Sequence, residues 1–291
     1  MQNSKLPTLP ITLLIISMSL GISAGEIKHK FVATDESGKQ LIYVDETNPA
    51  NDWTIPLPGN RDIQLSSEGT VLVSVPTGYR EYDLKSGEML KDIKTVTRVQ
   101  SLVRLANGHT LLAGKDGVVE LDKADQQLAF HAMKMGGFFR LLRVAKNGNY
   151  LYTAGPTTVK ELQPGANVIR ELDLTTLTPD SKKPYFMEEM PDGTFLIATG
   201  FGATILIVDK AWKLIASYGG KGKLEGIETH FFADAQQLKN GHVVVAHWSG
   251  HAREDSKKAP QAIEFDKDGK VVWTWHDHKR AGTLHGIEIV E

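Results

Sequence analysis

The chain carries His230, His247, His251, His276, His278 and His285 towards its C-terminus, and three chemistries suit them. Neutral imidazole is the commonest side-chain ligand for zinc, copper or nickel, so His247-x-x-x-His251 or His276-Asp277-His278 can be read as part of a divalent-metal site. No helix of the His-Glu-x-x-His kind frames either pair. A histidine acting as base or nucleophile is the second reading. Its candidates are His230, His251 and His278, with Glu228, Asp234 or Asp277 to orient the ring. The third is structural, an imidazole that hydrogen-bonds a neighbouring segment and holds a loop. Residue type and spacing leave all three open.

Trp248 lies between His247 and His251. An indole at a pocket rim offers a stacking surface for a sugar ring or an aromatic ligand, and equally it can cap the end of a core. Arg61 and Arg140 each stand eight residues before a glycine, Gly69 and Gly148, and Arg98 lies near an equivalent place. With Gln64, Asp234, Gln236 and Glu288 they would form a polar mouth for an anionic or hydroxylated molecule. The alternative has each arginine paired with an acid of an adjoining unit. The candidate ligand-binding set is therefore Arg61, Arg140, Asp234, His247, Trp248 and His285.

The elements that must position these residues are short strands. Phe231 to Leu238 turns at Lys239-Asn240-Gly241 into His242 to His247. After a polar loop come Gln261 to Phe265, the turn Asp266 to Gly269, and Lys270 to Trp275. Asn-Gly and Asp-Gly between β-branched and aromatic runs are strong hairpin signals, because the turn needs positive φ. The first-turn glycine recurs as Gly69, Gly108, Gly148, Gly193 and Gly241, at spacings of 39, 40, 45 and 48 residues. Each is followed by an apolar run, then by a third-strand ending such as Glu81-Tyr82-Asp83, Glu120-Leu121-Asp122 or Glu264-Phe265-Asp266. Four strands per unit and a period near 40 describe a β-propeller.

Five units are complete. The N-terminal part supplies second, third and fourth strands (His29 to Thr34, Gln40 to Val44, Asn51 to Ile55) without a first, and His285 to Val290 supplies a first strand with nothing after it. Joining them closes the ring without a long free edge. The expected fold is thus all-β, a six-bladed propeller with four antiparallel strands per blade, closed by the C-terminal strand pairing with the N-terminal ones. First strands line the channel, while inter-blade connections and second-to-third-strand loops share the face where ligands usually bind. On that rule the six histidines fall on one sector of one face, and His109 and His242 fall on the other. Trp53, Trp212 and Trp273 are placed on outer strands, packing between blades.

Residues 1–24 stand apart: Lys5, an apolar core from Ile11 to Leu20, and small residues ending at Ala24. That is the pattern of a secretory signal peptide, too short in its apolar core for the roughly 20 residues of a membrane span. The mature domain is 25–291, with no membrane span. Cysteine is absent, which excludes disulfides and thiolate chemistry and suits a bacterial periplasmic or secreted protein. Removing the leader leaves 32 basic against 35 acidic residues, not the basic footprint of a nucleic-acid binder. A monomer is expected.

The pattern from Gln237 to Trp275 (Leu238, Asn240-Gly241, Glu264, Asp266, Gly269, Trp273, Trp275) resembles the repeat of bacterial PQQ-like and arylsulfotransferase-like β-propeller proteins, in particular exported six-bladed members. The resemblance covers essentially the whole mature chain and implies the fold. Quinoprotein dehydrogenases resemble it only in the repeat, and their larger, usually eight-bladed domains often carry a vicinal cysteine pair missing here, so PQQ is not expected as cofactor. Arylsulfotransferases, similar in having six blades and histidine-based sulfuryl transfer, are much longer, and none of the histidines here matches their catalytic one. Calcium-dependent lactonase propellers would want an acidic and amide cluster that the sequence does not display. The expected function is binding of a small polar ligand, carbohydrate among the candidates, on the loop face near blades five and six. The alternatives are an enzyme (lyase, hydrolase or sulfotransferase-like) using a loop-face histidine with or without a metal, and a protein-interaction scaffold.

Overall fold

The computed structural model describes residues 26–57, 59, 61–95, 98–133, 139–165 and 168–291. The segment expected to be a signal peptide, residues 1–24, lies outside the described residues. Every strand belongs to one of six four-stranded antiparallel sheets. Blade one is β4 (Ile63–Leu65), β5 (Thr70–Val75), β6 (Gly78–Asp83) and β7 (Met89–Lys94). Blade two is β8 (Val99–Arg104), β9 (Thr110–Gly114), β10 (Gly117–Leu121) and β11 (Gln127–Ala132). Blade three is β12 (Leu142–Val144), β13 (Tyr150–Ala154), β14 (Thr158–Leu162) and β15 (Val168–Asp173). Blade four is β16 (Phe186–Glu189), β17 (Phe195–Ala198), β18 (Thr204–Val208) and β19 (Leu214–Gly219). Blade five is β20 (Phe231–Gln237), β21 (Val243–Trp248), β22 (Ala262–Phe265) and β23 (Val271–Trp275).

The sixth blade is the composite one: β24 (Leu284–Ile289) pairs with β1 (Lys30–Asp35), followed by β2 (Gln40–Asp45) and β3 (Trp53–Pro56). Ala33 faces Ile287 and Val32 faces Glu288 across the closing ladder. Buried Asp35 reinforces it by accepting from Gly282 N at 2.7 Å and Gln40 Nε2 at 2.9 Å. Gln261 donates to the carbonyls of Ala281 and Gly282, which ties the connection entering β24 back to blade five.

The first turns differ from a two-residue hairpin. At Gly108 the amide returns to Leu105 O, while Leu105 N reaches His109 O, so a tight turn ends in a single left-handed residue. The five turn glycines have φ between +77° and +84°, and none of the asparagines before them is left-handed. Those side chains instead accept from the backbone two residues on: Asn107 from His109 and Asn240 from His242. This is a turn with a glycine bulge rather than the mirror-image turn.

The repeated third-strand glutamate has a definite task. Its carboxylate accepts from the side chain just after the turn glycine: Glu81 from Thr70 (2.7 Å), Glu161 from Asn149 (2.7 Å). In blades two and five the partner is an imidazole, His109 to Glu120 at 2.7 Å and His242 to Glu264 at 2.6 Å. A further cationic side chain or imidazole approaches the same group: Arg104 beside Glu81, Arg170 beside Glu161, His29 beside Glu264. Because His29 leads into β1, Glu264 joins blade five to the closing blade. Blade four has Ile207 at this position and lacks the device.

Apolar residues of the middle strands fill the spaces between blades. Trp273 and Trp53 lie on outer strands as expected. Trp212 does not; it lies in the turn between β18 and β19, with Arg170 stacked over its ring at 3.8 Å.

Candidate functional site

A pocket of roughly 90 Å³ opens on the connection face of the ring, and four blades besides the closing one contribute to it. Tyr185 and Phe231 come from the entrances to β16 and β20, Phe201 from the β17–β18 loop, and Trp248 from the end of β21. The loop hosting Phe201 exists because Gly200 has no side chain. A Cβ there would stand 2.0 Å from the carbonyl oxygen of Lys183, at a φ of +65°.

The wall is aromatic. His285 is stacked between Tyr185 (5.6 Å between centroids) and Trp248 (5.8 Å), and Phe201 meets Phe231 edge-on at 4.8 Å. Glu36, in the β1–β2 turn, crosses to the wall: Trp248 Nε1 donates to Glu36 Oε2 at 2.7 Å, with His251 Nδ1 at 3.3 Å and His285 Nε2 at 3.5 Å from the same oxygen. Burial, then the charges of Arg61 and Arg140, push the His285 imidazole well below its ordinary range. It is therefore neutral, and its Nδ1 is buried without a partner.

Arg61 and Arg140 line the same pocket. Among the described residues neither guanidinium lies within 4 Å of a carboxylate. Arg140 NH1 reaches only the carbonyl of Phe139, and the Arg61 carbonyl accepts from Tyr185 OH. Burial, followed by repulsion from Arg61, pulls the Arg140 pKa down. Among the described residues neither arginine forms a cross-blade ion pair, and Glu36 acts on Arg140 only at longer range. An anion held between them would be favoured by both charges.

The other candidates divide by environment. His247 is fully buried and occupied at both nitrogens: Nε2 accepts from His230 N at 2.8 Å, so Nδ1 carries the proton donated to Pro260 O at 2.7 Å. Burial holds its pKa down at about 4. With no free lone pair and no place on the pocket wall, it has neither of the roles suggested for it, metal ligand or ligand contact. His230 is exposed, its ring tilted against Trp248 at 5.6 Å behind the wall. His276 turns Nε2 to Ser256 O at 2.9 Å, and His278 packs edge-on against it, away from the pocket. Among the described residues no group of three or more histidines and acids is placed to hold a metal ion.

Asp234 lies elsewhere, in the central channel. There Arg143 grips Asp62 with both terminal nitrogens, at 3.0 and 2.9 Å, and stands 3.7 Å from Asp234. Burial raises the carboxyls of Asp234 and Glu288, with Arg143 acting against it. Gln64 and Gln236 are backbone clamps: Gln64 accepts from Arg104 N, and Gln236 bonds both polar groups of Ile289. Arg98 is exposed, outside the pocket. Of the candidates named from sequence, Arg61, Arg140, Trp248, His251 and His285 meet at one pocket.

Tyr185, Phe201, Phe231, Lys183 and Glu36 complete it unannounced. One signal was present: Tyr185 stands eight residues before Gly193, the position Arg61 and Arg140 occupy before Gly69 and Gly148. Nothing comparable marks Glu36, which reaches Trp248 only because the chain ends close the ring.

Neither protein-family profiles nor curated proteins match the chain. Among solved structures it is similar to a protein of unknown function from Bacteroides caccae (TM-score 0.75, 21% identity, covering 91% of this chain and 100% of that one). It is also similar to virginiamycin B lyase from Staphylococcus aureus (TM-score 0.55, 11% identity, 86% and 84% covered). A third likeness is to the extracellular domain of a proposed hybrid two-component system from Bacteroides thetaiotaomicron (TM-score 0.56, 14% identity, 88% and 36% covered). At these identities the likeness establishes the six-bladed propeller fold. No helix of the described residues is long and apolar enough to cross a membrane.

Proposed function

We propose that this chain is an exported propeller that binds a small, polar, ring-bearing ligand with a negative charge, an acidic carbohydrate being the class that fits, in the pocket between Arg140 and Trp248. The observation that carries this reading is the arginine pair without carboxylate partners. Two like charges brought together beside an aromatic wall cost stability unless an anion joins them. The wall supports the second half of the reading, since Phe201, its half-buried ring, offers surface to the apolar face of a sugar while Trp248, Tyr185 and Phe231 pack buried behind it. Export rests on the leader-like residues 1–24, and an extracellular domain among the similar structures agrees with it.

Calorimetric titration of the mature chain tests the reading. Acidic sugars such as glucuronate and galacturonate oligomers should bind, and neutral glucose and galactose oligomers should bind at least tenfold more weakly. Arg140→Gln and Arg61→Gln should each remove most of that preference, while Trp248→Ala should weaken all sugars together. Equal binding of neutral and acidic sugars, or none of either, would contradict it.

A further inference from the structure

Glu36 and His251 stand where two hollows meet. One is the aromatic pocket; the other, roughly 330 Å³, opens beside Ser37, Lys39 and Gly59. Glu36, Arg61 and His251 line both. A ligand of two linked units, one in each hollow, carries its linkage past these three side chains. Glu36 is fixed by Trp248 Nε1 and lies 3.3 Å from His251 Nδ1. The carboxylate therefore directs the Nδ1 proton to itself and leaves the lone pair on Nε2 for the ligand. The His251 side chain is 81% exposed, so Nε2 is accessible from the opening. Base and orienting carboxylate are thus paired as proton abstraction uses them, and such contacts tighten when ligand binds.

The lining discriminates between reaction classes. Glycoside hydrolysis by paired carboxyl groups needs two of them flanking the bond, and among the described residues Glu36 is the one carboxylate on either hollow. The hydroxyl nearest to hand, Ser37, is engaged with Thr283 N at 2.9 Å. The residues present instead supply one oriented base and a pair of guanidinium groups. Those are the requirements for removing a proton from the carbon next to a carboxylate, because the cations stabilise the charge that develops on its oxygens.

Resting on the anionic-ligand reading, we propose that the junction is a lyase site for uronosides, with His251 as catalytic base and Glu36 as its positioning residue. The uronate carboxylate lies on Arg61 and Arg140. His251 Nε2 takes the proton from the adjacent carbon, and the electron pair of that C–H bond becomes the new C=C bond. The neighbouring C–O bond to the next sugar breaks, its electrons leave on the departing oxygen, and that oxygen takes a proton from water at the open mouth. The imidazolium then returns its proton to solvent. The products are a shortened sugar and an unsaturated uronate.

Oligogalacturonates and glucuronate-containing oligosaccharides, incubated with the mature chain, test the proposal when ultraviolet absorbance of the conjugated product, released reducing ends and calorimetric binding are read together. Binding accompanied by rising absorbance is expected. His251→Ala should lower kcat by about a hundredfold or more, the usual worth of a general base, with binding changed no more than a few-fold. Glu36→Gln keeps an acceptor for Trp248, and it should lower kcat with KM nearly constant. Reducing ends without absorbance would mean hydrolysis and overturn the elimination. Bound uronosides left intact, or full turnover by His251→Ala, would overturn the lyase site and leave the anionic-ligand reading standing. Failure of every acidic sugar to bind would overturn both.

Discussion

At the scale of single residues, the same side-chain type serves opposite ends according to what surrounds it. His247 and His251 are four residues apart, yet one has both nitrogens committed to backbone and the other has one nitrogen free in a pocket mouth. Their environments make different demands on pH. The folded His247 titrates at about 4 against an ordinary 6.5, so the unfolded chain takes up that proton first as pH drops. Its contribution to stability is complete above 6.5 and is lost as pH falls towards 4. His247→Ala strands the part-buried amide of His230 and carbonyl of Pro260, and a group left unpaired costs at most about 1–3 kcal/mol. Denaturant unfolding at neutral pH should register that loss, and the difference from the parent chain should shrink as pH is lowered through this window. A constant difference across it would show that the buried imidazole is not what titrates. Spacing could not separate the two histidines, because His-x-x-x-His says nothing about which ring the next loop, at Pro260, covers.

At the scale of elements, the repeat explains itself once the third-strand glutamate is seen to bind the residue after the turn glycine. The glycines, apolar runs and Glu-x-Asp endings were all visible in the sequence because each recurs at a fixed place. The pairing between them was not, since its partner varies among threonine, asparagine and histidine. Glu264 is the instance that also joins two blades. Burial raises its pKa, but His29 and His242 outweigh burial and hold it below the ordinary carboxylate range. Its contribution is therefore present above that range and lost as pH falls through the folded value. Glu264→Ala removes a buried hydrogen-bonded charge and should cost about 3–5 kcal/mol, seen as a lower denaturant midpoint at neutral pH with most of the difference gone in acid. A neutral effect at all pH values would show that blade five and the closing blade hold together by apolar packing alone.

At the scale of the whole molecule, closure of the ring creates the pocket. Glu36 is 212 residues from Trp248 and joins it only because β24 completes the blade begun by β1. The ring, its blade count and its closure were legible from periodicity and from the unmatched strands at the two ends. The pocket was legible in part: Arg61, Arg140, Trp248, His251 and His285 could be assigned to one face by topology, whereas Asp234 belongs to a channel strand and turns to Arg143 instead. Face is a property of the repeat, but depth along the channel depends on bulges such as the one between Phe232 and Ala235, which no spacing rule reports.

The account rests on the unpaired arginines, and a crystal of the mature chain soaked with a galacturonate or glucuronate disaccharide interrogates them most directly. Sugar density with its carboxylate on Arg61 and Arg140 and a ring against Phe201 of the aromatic wall is the predicted result. An empty pocket at saturating ligand, or the sugar bound on the opposite face beside the turn glycines, would contradict it.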